Sequence, residues 1–207
     1  MTAPADRVRC PWAESTPDYT AYHDEEWGRP VRDDRGLFER LTLEAFQSGL
    51  SWLTILRKRE NFRAAFANFE PDAVARFGDD DVARLMADAG IVRNRAKIEA
   101  TIANARATVA LHEDGGTLRE LIWEHRPAPR DAPPKTFADV PSQTPETVAL
   151  AKELKRRGFR FVGPTTLYAL MQATGVVDDH LAGCPVRAAL DGQKIRASRD
   201  DADAPDV

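Results

Sequence analysis

Cysteine is scarce in this chain: only Cys10 and Cys184, near opposite ends of the 207 residues, carry a thiol. No apolar run reaches the roughly 18 residues that a membrane-spanning helix needs. The first 25 residues also lack the basic, apolar and small-residue order of a secretory signal peptide, so we expect a cytoplasmic protein. Because disulfides are rare in that compartment, a Cys10–Cys184 disulfide is the less favoured use of the two thiols.

Positive charge is not in excess either, since the formal net charge is −4. Four aspartates within residues 200–207 account for that value, and the rest of the chain is formally neutral. Basic residues nevertheless cluster at 57–59, 93–97 and 152–160. Each cluster alone is typical of a solvated helix face, but clusters on one face can bind phosphate. The average charge therefore does not exclude a nucleic-acid partner.

Alternation with period two, the pattern of a half-buried strand, is absent, and apolar residues instead recur at helical spacing. The predicted fold class is therefore all-α. Helices are predicted over 34–48, 61–68, 79–89 and 91–112. The first of these has apolar residues on several sides, so we expect it to be largely enclosed.

Proline is concentrated in one segment: six of the 14 prolines lie within residues 126–145, which we interpret as a surface connection. A helix, a five-residue hairpin and a second helix are predicted to follow over 147–175, with Pro145 in the first turn. We expect residues 1–185 to form a single domain of two helical lobes. Residues 186–207 are polar and acidic, and we expect them to be a disordered tail.

The two cysteines belong to a pattern of possible metal ligands, with Cys10 and His23 near one end and His180 and Cys184 near the other. Zn²⁺ prefers four such ligands in a tetrahedron, and the i, i+4 spacing of His180 and Cys184 can place both on one helical face. The pattern predicts one structural zinc that clips the chain ends together. The alternative is an inert buried thiol beside a core histidine.

The predicted hairpin is basic. Its backbone amides near Gly163, with the start of the second helix, can hold a phosphate group. Arg156, Arg157 and Arg160 surround it, so these three residues and Gly163 are candidate phosphate contacts. The alternative is an ordinary αα-hairpin that only packs the core.

Aromatic residues concentrate in two segments, 11–28 and 43–52, around one carboxylate, Glu44. Glu44 shares a helical stripe with Leu37 and Leu41, and a buried carboxylate without a partner costs several kcal/mol, roughly. It therefore either makes a structural hydrogen bond to a helix end or binds a flat, cationic ligand that offers N–H donors. The candidate pocket residues are Trp12, Tyr22, Trp27, Phe46 and Trp52.

Several motifs together resemble the 3-methyladenine DNA glycosylase I family over about residues 8–185: "RCPWA", "AYHDEEWG", "LFERLTLEAFQSGLSWLTIL", "DAGIVRNRAKI", "KRRGFRFVG" and "VVDDHLAGC". The resemblance implies a helix-hairpin-helix DNA glycosylase fold with a zinc clip. It also implies a pocket in which Glu44 hydrogen-bonds a damaged base while Tyr22 and Trp52 contact or stack on it. Trp12 and Trp27 would be pocket walls.

The activity that this resemblance implies is base excision repair: hydrolysis of the N-glycosidic bond of 3-methyladenine in alkylated double-stranded DNA, by a monomer. Many related glycosylases carry a catalytic Asp in a "V-D-x-H" context, and Asp178 occupies that slot here. Asp178 is therefore either a catalytic residue beside Glu44 or a cap of the helix predicted to carry His180 and Cys184. Two other readings stay open, a zinc-stapled DNA-binding module without chemistry and a hydrolase in which water displaces one zinc ligand.

Overall fold

The structure, a computed structural model, describes residues 9–191, and within that range it contains helices and no strands. The predicted all-α class is therefore confirmed for the described part of the chain. The α-helices are α1 Pro17–Glu25, α2 Asp34–Gln47, α3 Trp52–Leu56, α4 Arg59–Ala65, α5 Pro71–Ala75, α6 Asp79–Ala87, α7 Arg95–Glu113, α8 Leu118–Glu124, α9 Pro145–Arg156 and α10 Pro164–Ala173. None of these helices combines the length and apolar composition that crossing a bilayer requires.

Side-chain caps determine where several helices begin. The Asp33 carboxylate accepts a hydrogen bond from the Gly36 amide at 2.8 Å and starts α2. The Asn94 side-chain oxygen likewise accepts from the Lys97 amide at 3.2 Å. Because this cap satisfies a free amide of the first turn, α7 begins at Arg95 and not at 91 as predicted.

Helix α2 lies at the centre of the molecule, where it contacts α3, α7, α8 and α10. Leu37, Leu41, Leu43 and Phe46 are all fully buried although they lie on different sides of the helix. The expectation of an enclosed helix is confirmed, and Glu44 is consequently held inside the fold.

A buried lysine fixes the end of α2. Lys97 on α7 is only 6% exposed, and its ammonium group donates to the carbonyls of Phe46 at 2.8 Å and Ser48 at 2.6 Å. Those carbonyls lie at the helix C-terminus, where no backbone donor is available to them. Lys97 is therefore a structural residue and is not available to bind phosphate, unlike the exposed Arg93 and Arg95 of the 93–97 cluster.

The hairpin between α9 and α10 has a defined shape. Gly158 ends the first helix in the left-handed region with φ +91°, which favours a residue without Cβ. The buried Asn104 of α7 then clamps the loop: its oxygen accepts from the Arg160 amide at 2.7 Å, and its amide donates to the Arg160 carbonyl at 3.1 Å. The loop that carries the candidate DNA contacts is thus positioned by the core.

The predicted tail starts too early at residue 186. Residues 185–191 are helical, and Val186 and Leu190, one turn apart, are 7% and 4% exposed. This apolar pair packs against the fold and is the physical reason for the difference. Residues 192–207, the rest of the predicted tail, lie outside the described residues.

Candidate functional site

An aromatic-lined cavity of about 280 Å³ lies between α1, the end of α2, α3 and α10. It brings together Glu44 and four of the five aromatic residues that the sequence assigned to a pocket. Its lining residues are Trp12, Tyr19, Tyr22, Trp27, Glu44, Gln47, Trp52, Phe137, Ala169 and Gln172.

The aromatic side chains hold one another in place around this cavity. The ring centroids of Tyr22 and Trp52 are 5.3 Å apart, and those of Trp12 and Trp27 are 5.1 Å apart in an edge-to-face arrangement. The Tyr19 hydroxyl accepts from the Leu53 amide at 3.0 Å and so anchors the start of α3, which carries Trp52. Such walls suit a flat ring that stacks on one face and is covered on the other.

Glu44 is 6% exposed, and its carboxyl group makes no hydrogen bond to any residue within 9–191. The alternative of a structural hydrogen bond to a helix end is therefore not what the structure contains. Burial raises the pKa of Glu44 to about 8, although the positive charge of Arg40 acts in the opposite direction. Glu44 is thus an unpaired acceptor inside an aromatic cavity, able to take up or lose a proton near neutral pH.

The arginines near Glu44 are engaged by a different carboxylate. Glu26 accepts from Arg40 at 2.6 Å and from Arg59 at 2.6 and 2.7 Å. Burial opposes ionisation of Glu26, but the hydrogen bonds from Arg59 and Arg40 outweigh it and hold its pKa at about 2. Because Glu26 takes both guanidinium groups, a cationic ligand in the cavity would not compete with an arginine contact on Glu44.

Five lining residues were not among the sequence candidates: Tyr19, Gln47, Phe137, Ala169 and Gln172. Gln47 follows Glu44 by three positions on α2, a spacing that places both on one helical face and could have identified it. Gln172 and Ala169 lie three positions apart on α10, but neither was a candidate, so their spacing could not have identified them. Phe137 lies in the proline-rich segment, interpreted only as a connection; it lines the cavity and is 40% exposed.

The assignment of Phe46 to the pocket is wrong. Its ring is fully buried and packs on Phe62 and Phe66, with centroids 4.7 and 6.0 Å away. Phe46 is two positions from Glu44, and residues at that spacing point to different sides of a helix. Glu44 therefore faces the cavity while Phe46 faces the core.

Asp178 does not lie with Glu44. It lines a second cavity of about 300 Å³ beneath the proline-rich segment, and its carboxylate accepts from the His180 amide at 3.2 Å. The helix predicted to carry His180 and Cys184 is absent, because the chain turns there and Cys184 N donates to Leu181 O at 2.9 Å. Asp178 thus stabilises a turn and caps no helix.

The four predicted metal ligands form one buried cluster. Cys10, His23, His180 and Cys184 are each at most 2% exposed, and their ligand atoms all lie within 4.8 Å of one another. His180 Nδ1 is 3.2 Å from His23 Nε2 and 3.9 Å from Cys10 Sγ. Cys184 Sγ is 3.5 Å from both ring nitrogens. The cluster has the composition and size to hold a metal ion.

Second contacts fix the orientation of both histidine rings. His23 Nδ1 lies 2.8 Å from the Asp24 carboxylate, and His180 Nε2 lies 3.1 Å from the Trp27 carbonyl. Both partners are acceptors, so the protonated nitrogen of each ring points away from the cluster and the other nitrogen points into it. Gly28 permits the close approach of His180: a Cβ there would lie 2.9 Å from Nε2.

The four candidate DNA contacts lie together at the hairpin, but the charges of the three arginines are not equally available. Arg156 and Arg157 both pair with Glu153, with N–O distances of 2.6 Å. Arg160 is exposed and pairs with no carboxylate within residues 9–191. Gly163 precedes α10, and a Cβ there would meet no atom within 4 Å, so the backbone at this point is open to a ligand.

Comparison with known proteins identifies a matching family and several similar proteins. The model of the methyladenine glycosylase family matches residues 12–188. The chain is similar to DNA-3-methyladenine glycosylase 1 of Escherichia coli (strain K12), with 48% identity over 179 residues that cover 85% of this chain and 95% of the relative. It is also similar in structure to a crystal structure of 3-methyladenine DNA glycosylase I, with a TM-score of 0.83, 46% identity and coverage of 86% of this chain and 98% of that one. A single-residue variant of such an enzyme in complex with 3-methyladenine gives a TM-score of 0.81 at 36% identity, covering 86% and 96%.

Proposed function

The chain belongs to the methyladenine glycosylase family, and from that premise we propose how it acts as a DNA glycosylase that hydrolyses the N-glycosidic bond of 3-methyladenine. The flipped base enters the aromatic cavity, and Glu44 recognises it there. The observation that carries this proposal is the buried Glu44 carboxyl group, which has no hydrogen-bond partner within residues 9–191 and is surrounded by aromatic rings.

Base recognition combines stacking with an acceptor. Tyr22 and Trp52 contact the faces of the flipped base, and Trp12 and Trp27 close the walls. Glu44 accepts from the exocyclic amine, and because methylation makes adenine cationic, the ionised carboxylate also attracts its charge. Binding of the cation lowers the pKa of Glu44 from about 8, so Glu44 releases a proton as the substrate enters.

Hydrolysis follows from the chemistry of the leaving group. The bond between the sugar C1′ and the ring nitrogen breaks, and its electron pair neutralises the cationic base. Water then adds to C1′ and gives up a proton to the solvent. Glu44 is the acidic residue that lines the cavity. We assign it the catalytic role, which is to bind the cationic base through its ionised carboxylate. Asp178, which lines the second cavity, is not assigned a catalytic role.

DNA binding is assigned to the hairpin between α9 and α10, which acts as a helix-hairpin-helix motif. Arg156, Arg157 and Arg160 contact backbone phosphates, and the amides around Gly163 with the start of α10 hold one of them. These contacts position a double-stranded substrate while the damaged nucleotide leaves the stack, which costs a few kcal/mol, roughly. We propose that the protein works in this way as a monomer in the cytoplasm.

Zinc is the metal that the Cys10, His23, His180 and Cys184 cluster fits. Ligands at about 2.0–2.3 Å from one Zn²⁺ in a tetrahedron lie roughly 3.3–3.8 Å apart. Four of the six distances between the ligand atoms are 3.2 to 3.9 Å, close to that range, and all six are within 4.8 Å. Four protein ligands leave no position for water, so the ion would be structural and would join the two ends of the described chain.

The direct test is to incubate methylated duplex DNA with the purified protein and to identify the released bases by chromatography and mass spectrometry. The proposal predicts free 3-methyladenine and an abasic site. A zinc-stapled binding module would retain the DNA and release nothing. A zinc hydrolase would lose its chemistry on metal removal even under conditions where the protein stays folded.

A further inference from the structure

Asp179 has no part in the function proposed above, yet it is 2% exposed and connects the aromatic cavity to the proline-rich segment. Its Oδ2 accepts from the Tyr168 hydroxyl at 2.7 Å and from Gln172 Nε2 at 2.9 Å. Its Oδ1 forms an ion pair with Arg130 Nη2 at 2.9 Å that is not aligned as a hydrogen bond. Gln172 lines the aromatic cavity, so the network ends at the candidate base site.

The chemistry of the network fixes the direction of each hydrogen bond. Arg130 has only donors and donates to the Tyr168 oxygen at 2.8 Å, so the hydroxyl hydrogen of Tyr168 is directed to Asp179. Burial and the Asp179 carboxylate raise the pKa of Tyr168, which keeps that hydrogen in place. Since a carboxylate only accepts, Gln172 must direct its NH₂ group to Asp179.

This orientation leaves the Gln172 side-chain oxygen for the cavity, and that oxygen makes no hydrogen bond within residues 9–191. We propose that the Gln172 oxygen is a second acceptor for the base, positioned by Asp179, and that it selects purines with an amino group at C6 over purines with an oxo group at C6. This inference rests on the proposed function. Gln172 would be a specificity-determining residue, and Asp179 a positioning residue.

The selection has a simple physical basis. The 6-amino group of adenine can donate to Gln172 or Glu44, whereas the 6-oxo group of guanine would place one acceptor against another and leave both without a donor. A buried acceptor that loses its donor weakens binding by about tenfold or more. The cavity would therefore discriminate 3-methyladenine from 3-methylguanine by that factor.

Asp179→Asn tests the positioning role. The Asn can accept from Gln172 or donate to it, so the Gln172 amide is no longer held in one orientation and can present its NH₂ group to the cavity. We expect affinity for free 3-methyladenine to fall about tenfold, and the ratio of 3-methyladenine to 3-methylguanine released from one alkylated DNA sample to fall similarly. Asp178→Asn changes the neighbouring carboxylate, which lines the same second cavity as Asp179, and should leave that ratio unchanged.

A double variant provides the rescue. Gln172→Glu alone places two carboxylates together and should lower both the ratio and the affinity. In Gln172→Glu with Asp179→Asn, the Asn NH₂ can donate to the new carboxylate, whose other oxygen again offers an acceptor to the base. We expect this pair to recover most of the ratio, and a double variant no better than the weaker single variant would overturn the proposal.

Further outcomes distinguish a positioning role of Asp179 from a structural one, and both from a failure of the proposed function. If Asp179→Asn fails to fold, Gln172→Leu decides, because it replaces the acceptor by an apolar side chain of similar size. Unchanged 3-methyladenine affinity in that variant would refute the role of Gln172. If Asp179→Asn only lowers the melting temperature and keeps the release ratio, Asp179 is structural. A wild-type protein that releases no base would instead refute the proposed function.

Discussion

Replacing Glu44 by Gln tests whether the Glu44 carboxylate binds a ligand or stabilises the fold. Gln keeps the size and shape of the side chain but cannot ionise. Because Glu44 makes no hydrogen bond within residues 9–191, the substitution breaks no protein contact there. The two readings of Glu44 therefore predict opposite changes in stability.

The expected stability change follows from the pKa of Glu44, which burial raises from 4.5 to about 8. A raised pKa in the folded state means that ionisation of Glu44 costs nothing below pH 4.5 and costs progressively more up to about pH 8. At roughly 1.4 kcal/mol per pH unit, that cost reaches at most about 5 kcal/mol. Glu44→Gln should therefore be as stable as the wild type near pH 4.5 and more stable at pH 8.5.

Function should change in the other direction. The base loses a charge-assisted acceptor worth about 1.5–3 kcal/mol, so affinity for free 3-methyladenine should fall roughly ten- to a hundredfold. Release from DNA should fall by at least a similar factor. In the wild type, kcat/KM should rise with pH and level off near 8, where Glu44 is ionised before binding. The Gln variant should lack this rise.

Denaturant unfolding at pH 4.5 and 8.5 and base titration at pH 7.5 would measure both effects. The reasoning would be refuted by a Gln variant that is less stable than the wild type at pH 8.5. It would also be refuted by a stable variant with wild-type base release.

Freshly purified protein should contain about one zinc per chain, and Cys184→Ser should lower both zinc content and unfolding free energy, because metal binding is linked to folding; elemental analysis without zinc would contradict this. Replacing the three hairpin arginines by Ala should weaken binding to damaged and undamaged duplex equally and flatten its salt dependence. Glu153→Gln should do the reverse, since it frees two of those arginines; unchanged binding in both variants would move the DNA face elsewhere. Lys97→Met should cost about 1.5–3 kcal/mol of stability in denaturant unfolding, because two carbonyls lose a charged donor.

Composition and spacing were sufficient to predict the cluster of two cysteines and two histidines and most of the aromatic cavity. With only two cysteines and four histidines in the chain, the possible ligand sets were few, and the structure brings the predicted set together. Glu44 could be identified because a carboxylate on an apolar helical stripe requires a partner or a ligand. The first inference depended on residue types that are rare in the chain, and the second on a charged residue at a position expected to be buried. Both features can be recognised in a single sequence.

Other parts of the site depend on tertiary contacts that one sequence does not contain. Asp178 and Asp179 are neighbours with the same side chain, and only the fold directs Asp179 to Gln172 and Asp178 to a turn. Phe137 was missed because a proline-rich connection carries no periodicity. The predicted helix around His180 was wrong because i, i+4 spacing is also compatible with the turn that brings His180 and Cys184 into the buried Cys/His cluster.

A crystal structure of the protein with bound 3-methyladenine tests the central claim most directly. We predict that the base lies against Tyr22 and Trp52, with its exocyclic amine within hydrogen-bonding distance of the Glu44 carboxylate. A base bound in the second cavity beneath the proline-rich segment, or one in the aromatic cavity with its amine directed away from Glu44, would contradict the account.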